Sequence, residues 1–416
     1  MRGECLMDTK NLIFIGGIIP ESQYDDIISK SMGPIQYAAD ALQKSFIEGL
    51  AAIYDNILVI NLPFIGSWPK RYKSIYSPTQ FNRHVKLQNG SYQLNNLRFL
   101  NITGFKLLSR YRVLKRNLDN YCKQRNDEQI VFIIYSIHTP FLKAAVDIKS
   151  RYKNVRVILI APDLPEYMDE NRGGLINVVC QRNIEIQNGL YNKVDGFVLL
   201  SEYMKDRLIA NNQPYCVVEG IFNQSSESST PSVRPKDKKI IFYSGTLARR
   251  YCIMNLVEAV QRLDRQDFRL DIYGDGDCRD EIIKISKVDN RIKYCGQKPR
   301  NEILKKQQEV FLLVNPRTSE GEFTKYSFPS KTMEYLASGT PTLIYRLPGI
   351  PDEYYEHCFA LEDSSIETLS HKINEILDLS GQELSRMGNE ARQFILDNKN
   401  PVKQVGKLNS ILEKLN

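Results

Sequence analysis

Nowhere in the 416 residues does an apolar run approach the roughly 18 needed to span a bilayer. The opening residues, MRGECLMDTK, carry no apolar core of the kind a secretory leader has. The expectation is a protein neither secreted nor integral to a membrane. Cysteine is present but unorganised: the eight residues Cys5, Cys122, Cys180, Cys216, Cys252, Cys278, Cys295 and Cys358 form no C-x-x-C pair and no cluster with histidine. That argues against a disulfide framework and against structural zinc, and it suits a reducing cytoplasm. There is no G-x-G-x-x-G dinucleotide fingerprint, no internal sequence repeat, and only one tryptophan, Trp68. Excess charge is also scarce, since a net +7 over this length is too little to argue by amount for a nucleic-acid partner, and none is expected.

What is present is an ordinary globular composition, 42% hydrophobic and 25% charged, on a chain long enough for about two domains. Short apolar runs recur at Asn11 to Gly17, Ile57 to Leu62, Ile130 to Tyr135, Val155 to Ile160, Val194 to Leu200 and Tyr215 to Val218. They recur again at Lys239 to Tyr243, Leu270 to Tyr273, Arg291 to Cys295, Val310 to Val314 and Thr342 to Tyr345. The segments between them favour helix, for example Pro34 to Gly49 and the stretch from Ser365 to Leu415. Strands alternating with helices predict doubly wound α/β domains with parallel sheets covered on both faces. The run NQSSESSTPSVRPKDKK, from Asn223, is rich in serine, proline and charge and reads as a linker. The expected division is 1–222, a 223–238 linker, 239–395, and a terminal helix over 396–416.

The stretch with the sharpest chemistry is YSFPSKTMEYLASGTP, Tyr326 to Pro341. Pro329 suits a helix start and Gly339 the left-handed residue just past its end. The helix follows a buried strand, so its free N–H groups and dipole favour an anion at the carboxyl edge of the sheet. Ser330 and Lys331 fall in the first turn and Glu334 one turn on, a donor, a cation and a carboxylate suited to a nucleoside diphosphate and its ribose.

This stretch resembles the signature of the retaining GT-B glycosyltransferases of family 4, in the branch reading F-P-S-K-x-x-E-Y-L-A-S-G. The resemblance implies two Rossmann-like domains facing a cleft, with the donor in the second and the acceptor in the first, and a last helix returning to the first domain. It implies transfer of a sugar from a nucleotide sugar, UDP-linked by expectation, with retention, in bacterial surface-polysaccharide synthesis. No cofactor or metal ion is expected, because arginine, lysine and a helix dipole can carry the leaving diphosphate, and a lipid-linked saccharide is the acceptor expected if the basic aromatic stretches of the first half meet a membrane. Glu334 matches the family glutamate that holds the ribose. Tyr326 stands where the first Glu of the Glu-x7-Glu motif belongs. Gly245 and Leu247 match a G-x-L loop whose basic residue holds the diphosphate. Thr246 stands at that basic position, so Arg249 or Arg250 would supply the charge. Gly16 and Gly17 match the first loop of the acceptor domain.

Other candidates come from strand ends. His138, in YSIHTP, and Asp163, in APDLPEYM, lie where ligands gather in open α/β sheets, and the resemblance would have them orient the acceptor. Each equally suits a structural hydrogen bond or a cap. Asp275 and Asp277 form a D-x-D, which reads as a metal site in the other main glycosyltransferase fold or as a helix-start turn, and no metal is expected here. Trp68 with Lys70, Arg71 and Lys73 forms a basic aromatic loop. Phe105 to Lys123 reads as a helix with Phe105, Leu108, Tyr111 and Leu114 in a stripe and Lys106, Arg110, Arg112, Lys115 and Arg116 around it. That pattern suits peripheral contact with an anionic membrane or a core-facing stripe with a solvated basic face. Two other functions stay open from the sequence: a nucleotide-sugar 2-epimerase of the same fold, and a catalytically silent module binding membrane or nucleic acid.

Overall fold

A computed structural model describes residues 11–164, 166, 175–224 and 239–415. Cys5 and most of the expected 223–238 linker lie outside these residues. The chain forms two compact units, the first comprising Met1–Ile221 with Pro401–Asn416 and the second Phe222–Asn400.

The first unit is built on an eight-stranded sheet. Its strands are β1 (Asn11–Gly16), β2 (Ile57–Asn61), β3 (Phe81–Leu87), β4 (Gly90–Asn96), β5 (Ile130–Tyr135), β6 (Val155–Ala161), β7 (Gly196–Leu199) and β8 (Tyr215–Val217). They lie in the order β3-β4-β2-β1-β5-β6-β7-β8. All neighbours are parallel except β3, which pairs antiparallel with β4 as an edge hairpin. The central strand β5, IVFIIY, is buried at every position, as a strand covered by helices on both faces must be. One covering helix, Tyr37–Ile53, packs against Pro401–Gly406, so that Val405, Leu408, Ile411 and Leu412 join Phe46, Ile47 and Leu50 in one core. Close approach there requires Gly49, whose added Cβ would lie 2.4 Å from the Pro401 carbonyl oxygen.

The second unit carries six parallel strands, β9 (Lys239–Ser244), β10 (Phe268–Tyr273), β11 (Ile292–Tyr294), β12 (Leu312–Asn315), β13 (Thr342–Tyr345) and β14 (Phe359–Leu361). Their order is β11-β10-β9-β12-β13-β14. Counted within the unit, the third, second and first strands lie on one side and the fourth, fifth and sixth on the other. This is the doubly wound order of dinucleotide-binding folds, and its direction reverses between β9 and β12. The corresponding reversal in the first unit falls between β1 and β5. At both points helices leave on opposite faces of the sheet, and a crevice opens outside the carboxyl ends of the strands.

Two corrections to the sequence reading concern residues 63–125. The region is not simply loop and basic helix, because β3 and β4 form a hairpin within it. The Lys106–Lys123 helix also turns a different face to the core from the one expected. Arg110, Leu114, Leu118 and Cys122 are its buried residues, whereas Phe105, just before it, and Leu108 are 61% and 44% exposed. Arg110 therefore belongs to the interior rather than to a solvated basic face.

Candidate functional site

The crevice of the second unit is assembled from the ends of β9, β10 and β11 and from the helix Ser330–Ala337 that follows β12. Three loops are tied together by main-chain bonds. Gly245 donates its N–H to the Tyr273 carbonyl at 2.9 Å, and Gly274 donates to the Gly296 carbonyl at 3.0 Å. Gly274 has φ +136°, and a Cβ there would lie 1.8 Å from the Gly245 oxygen, so only glycine permits this contact. The result is a floor of bare backbone lined by Ser244, Gly245, Thr246, Tyr273, Gly274 and Asp275.

The wall is the helix Ser330–Ala337. Thr332, Met333, Tyr335, Leu336 and Ala337 are buried against the sheet, while Lys331 and Glu334 line the crevice. Tyr335 fixes the helix to the floor, its hydroxyl accepting from the Ser244 N–H at 3.1 Å. The Lys331 side chain lies over Gly245, where an added Cβ would sit 2.5 Å from its Cε and 2.8 Å from its Nζ. Among the described residues this amine has no hydrogen-bond or ion-pair partner, and burial holds it below the usual lysine range while nearby Glu334 opposes that shift. Glu334 is oriented from two sides, accepting from Gln307 Nε2 at 2.7 Å and from Arg300 Nη2 at 3.1 Å. A carboxylate offers about four acceptor positions, so two bonds leave capacity for further donors. The helix ends as its sequence suggests, with Gly339 at φ +78°.

The other donor-side candidates lie elsewhere. Ser330 is exposed at the first position of the helix. Arg249 pairs with Glu281 at 2.6 Å, on an exposed turn. Arg250 stacks on Tyr251, 5.0 Å from the ring centroid, and Arg317 reaches the same ring at 5.7 Å. Lys331, Glu334 and Gly245 are thus brought together, and the two arginines do not line the crevice with them. Lys298 lies in the 296–299 loop, where the resemblance would have the base held through backbone groups, whereas Arg300 and Gln307 have no signal of their own in the sequence. These two reach the site from the helix Arg300–Glu309, and nothing local marks them. Asp275 accepts from the neighbouring Gly276 N–H at 2.9 Å and shapes its own loop, whereas Asp277 accepts from the Arg249 N–H at 3.0 Å and ties its loop to the turn after β9. Among the described residues there is no group of three or more side chains suited to a metal ion. Tyr326 is buried, and its hydroxyl donates to Glu322 at 3.3 Å, which places a carboxylate beside the position where the motif departs.

The first unit has its own pocket of about 400 Å³ at the β1/β5 reversal, lined by residues that include Ile19, Phe64, Arg71, Lys106, Arg110 and His138. His138 begins the helix Thr139–Lys149 and stacks between Phe64 and Phe141, at centroid distances of 5.5 and 4.5 Å. Burial, with Arg110 and Lys106 nearby, holds its imidazole well below the usual histidine range, so the ring is neutral near pH 7. Arg110 Nη1 donates to its Nε2 at 2.8 Å, which leaves the ring proton on Nδ1. Gly16 and Gly17 stand behind this pocket. The Gly17 N–H donates to Gln43 at 2.8 Å, and a Cβ at Gly17 would lie 2.6 Å from the Phe64 ring. Asp163 follows β6 and is not among the lining residues; burial pushes its carboxyl up to about 6 even though the residue keeps an exposed surface.

In sequence, residues 224–394 match the family described as Glycosyl transferases group 1. No curated protein matches the chain. Among solved structures, similarity extends over nearly the whole chain. Sucrose-phosphate synthase from Thermosynechococcus elongatus is 12% identical with TM-score 0.60, covering 98% of this chain and 99% of that one. A structure from E. coli described as trehalose-6-phosphate bound with UDP-2-fluoro glucose is 10% identical with TM-score 0.61, covering 97% of this chain and 99% of that one. A lipopolysaccharide outer core galactosyltransferase in its apo form is 13% identical with TM-score 0.58, with the same 97% and 99% coverage. The fold is that of the GT-B glycosyltransferases, and within it the second unit carries the residues, 224–394, that match the glycosyl transferases group 1 family.

Proposed function

We propose that the protein is a retaining glycosyltransferase. It takes a sugar from a nucleoside diphosphate sugar, UDP-linked, and moves it to a hydroxyl of a lipid-linked saccharide in the assembly of a bacterial surface polysaccharide. The observation that carries this is that Lys331 and Glu334 line one crevice at the β9/β12 reversal, inside a domain that matches glycosyl transferases group 1. The UDP assignment draws on the neighbour bound with UDP-2-fluoro glucose, and the polysaccharide role on the lipopolysaccharide galactosyltransferase.

In this reading Glu334 accepts from the ribose hydroxyls, and the neighbouring Arg300 and Gln307 keep it aimed. Lys331 and the amino end of its helix carry the negative charge that grows on the departing diphosphate, the kind of preorganised electrostatics that favours a transition state over a ground state. The leaving phosphate oxygen takes the proton from the acceptor hydroxyl, which attacks on the face the diphosphate vacates and so retains configuration. No divalent ion is assigned a part, and activity in EDTA equal to that in buffer is the expected result. Loss in EDTA with rescue by manganese would return Asp275 and Asp277 to consideration.

The enzyme would work peripherally on an anionic membrane face in the cytoplasm. Among the described residues no helix is long and apolar enough to cross a membrane. Phe105, Leu107 and Leu108 are 61%, 53% and 44% exposed, and Lys70, Arg71 and Lys73 are exposed in the 63–77 loop. Apolar side chains and cations together suit an anionic headgroup layer. The decisive measurement is calorimetric titration across UDP, GDP and ADP sugars. Binding of UDP sugars alone supports the assignment, and binding of none of the three would remove it.

A further inference from the structure

The pocket of the first unit is unusual in what surrounds it. Arg110 is 2% exposed, its guanidinium held 4.5 Å from the Phe99 ring and 5.4 Å from that of Phe64. Among the described residues it is paired with no carboxylate. Its Nη2 donates to the Pro63 carbonyl, its Nη1 to His138, and its Nε has no partner. Lys106, one turn earlier on the same helix, also lines the pocket, and among the described residues its amine meets only the Ile65 carbonyl. Arg71 adds a third cation at the exposed rim. The helix Thr139–Lys149 starts at the same wall, bringing the positive end of its dipole to the cluster.

Burying a guanidinium without a counter-ion is strongly unfavourable, and structures keep such an arrangement where something else compensates it. Aromatic packing alone would be served as well by methionine or leucine. It would not explain why a second and a third cation gather on the same cavity with no acid among its described lining residues. An anion in the pocket would account for all of these features, and a phosphate group is the anion that arginine, lysine and a helix amino end bind best together. Neutral His138 adds no charge. It holds Arg110 in place through Nε2, so it is a positioning residue.

We propose that this pocket is a phosphate subsite, which takes the phosphate or diphosphate group carried by the acceptor. The proposal rests on the glycosyltransferase reading above and specifies its second substrate as a phosphate ester. The ester could be anchored in lipid or free in solution, since both present the same anion.

The test uses the full chain and inorganic pyrophosphate as probe, titrated calorimetrically into wild type, Lys106→Met, Arg71→Ala and Lys331→Ala. UDP binding is measured in parallel on each. The expected result is pyrophosphate binding that survives Lys331→Ala and weakens about tenfold or more in Lys106→Met and in Arg71→Ala, with UDP binding kept in the latter two. Lys106→Arg, which keeps the charge, should restore part of the loss. Pyrophosphate binding unchanged in both first-unit variants would overturn the subsite. Loss of UDP affinity in Lys331→Ala tests the donor reading separately, so the two can fail independently. Competition against pyrophosphate then identifies the source, either by glucose 6-phosphate in solution or by phosphatidylcholine vesicles carrying a polyprenyl diphosphate. Competition by neither would also overturn the proposal.

Discussion

Lys331 lies over Gly245 so closely that a single methyl group on the glycine would overlap its side chain, at 2.5 Å from Cε. The lysine and the first loop of the second unit are therefore one device, and either can be disabled through the other. Gly245→Ala should displace the amine while leaving the lysine in the protein. The expected outcome is a loss of nucleotide affinity of about tenfold, near that of Lys331→Ala, because one charge-assisted contact is removed in each case. Calorimetry with UDP on both variants makes the comparison. Wild-type affinity in Gly245→Ala would separate the two residues.

Lys331→Ala should lower turnover more than it weakens binding of the nucleoside part, since the charge it meets grows in the transition state. Burial holds the free amine below the usual lysine range, and a bound diphosphate raises it again. Diphosphate binding at alkaline pH should therefore be accompanied by proton uptake, and affinity should fall as pH rises through the lowered pKa. Titrations in buffers of different ionisation enthalpy report the uptake directly. It should vanish in Lys331→Ala.

Glu334→Gln keeps the shape of the side chain and its contact with Gln307, yet it removes the charge that Arg300 meets and that the ribose hydroxyls of the proposed donor would meet. Charge-assisted bonds of this kind contribute about 1.5 to 3 kcal/mol, which corresponds to roughly tenfold or more in nucleotide affinity. Thermal unfolding should change little, because the helix is anchored by Tyr335 and its buried apolar face. Unchanged affinity in a folded variant would exclude Glu334 from ribose binding.

Lys106 links the first-unit pocket to stability. Burial, with a smaller contribution from Arg110, pushes its amine down from 10.5 to about 7. The unfolded chain then binds more protons than the folded one between about pH 7 and the ordinary lysine value. Stability contributed by this residue is therefore lowest below pH 7 and rises with pH across that window. Lys106→Met should raise the Tm at pH 6 and flatten this part of the profile. A melting series from pH 6 to pH 9 on both proteins is the check, and an identical slope in the two would show that Lys106 is not the group responsible.

Flotation with liposomes tests the membrane face. Wild type should float with anionic vesicles at low salt and less at high salt, since screening shortens the reach of each cation to about 8 Å near physiological ionic strength. A variant with Phe105, Leu107 and Leu108 changed to Ser should float less under all conditions. If wild type floats under none, the exposed residues are ordinary surface.

How much of this was legible in the chain depends on whether a feature was local. The helix Ser330–Ala337 announces itself, because Pro329 and Gly339 bracket it and the residues facing the crevice repeat at helical spacing. The strand β5 is an unbroken apolar run, and β12 is apolar up to Asn315 at its end. The β3-β4 hairpin was hidden because it is an edge, so FNRHVKL and GSYQLNN need little apolar character. The interior position of Arg110 was hidden for a different reason. Its surroundings come from Phe64, Phe99 and Phe141, each on a separate segment, and helical periodicity carries no record of them. The partners of Glu334 and the pairing of Arg249 with Glu281 are likewise products of the tertiary fold.

The return of residues 401–415 to the first unit has a consequence for the order of events on the ribosome. Val405, Leu408, Ile411 and Leu412 are fully buried in the first unit's core, yet they are synthesised after the whole of the second unit. During translation the first unit waits with part of its apolar interior uncovered, while the second has every residue of its own core in hand. The second unit is thus free to fold first, and the first is the one exposed to chaperones and to aggregation until synthesis has passed Leu412.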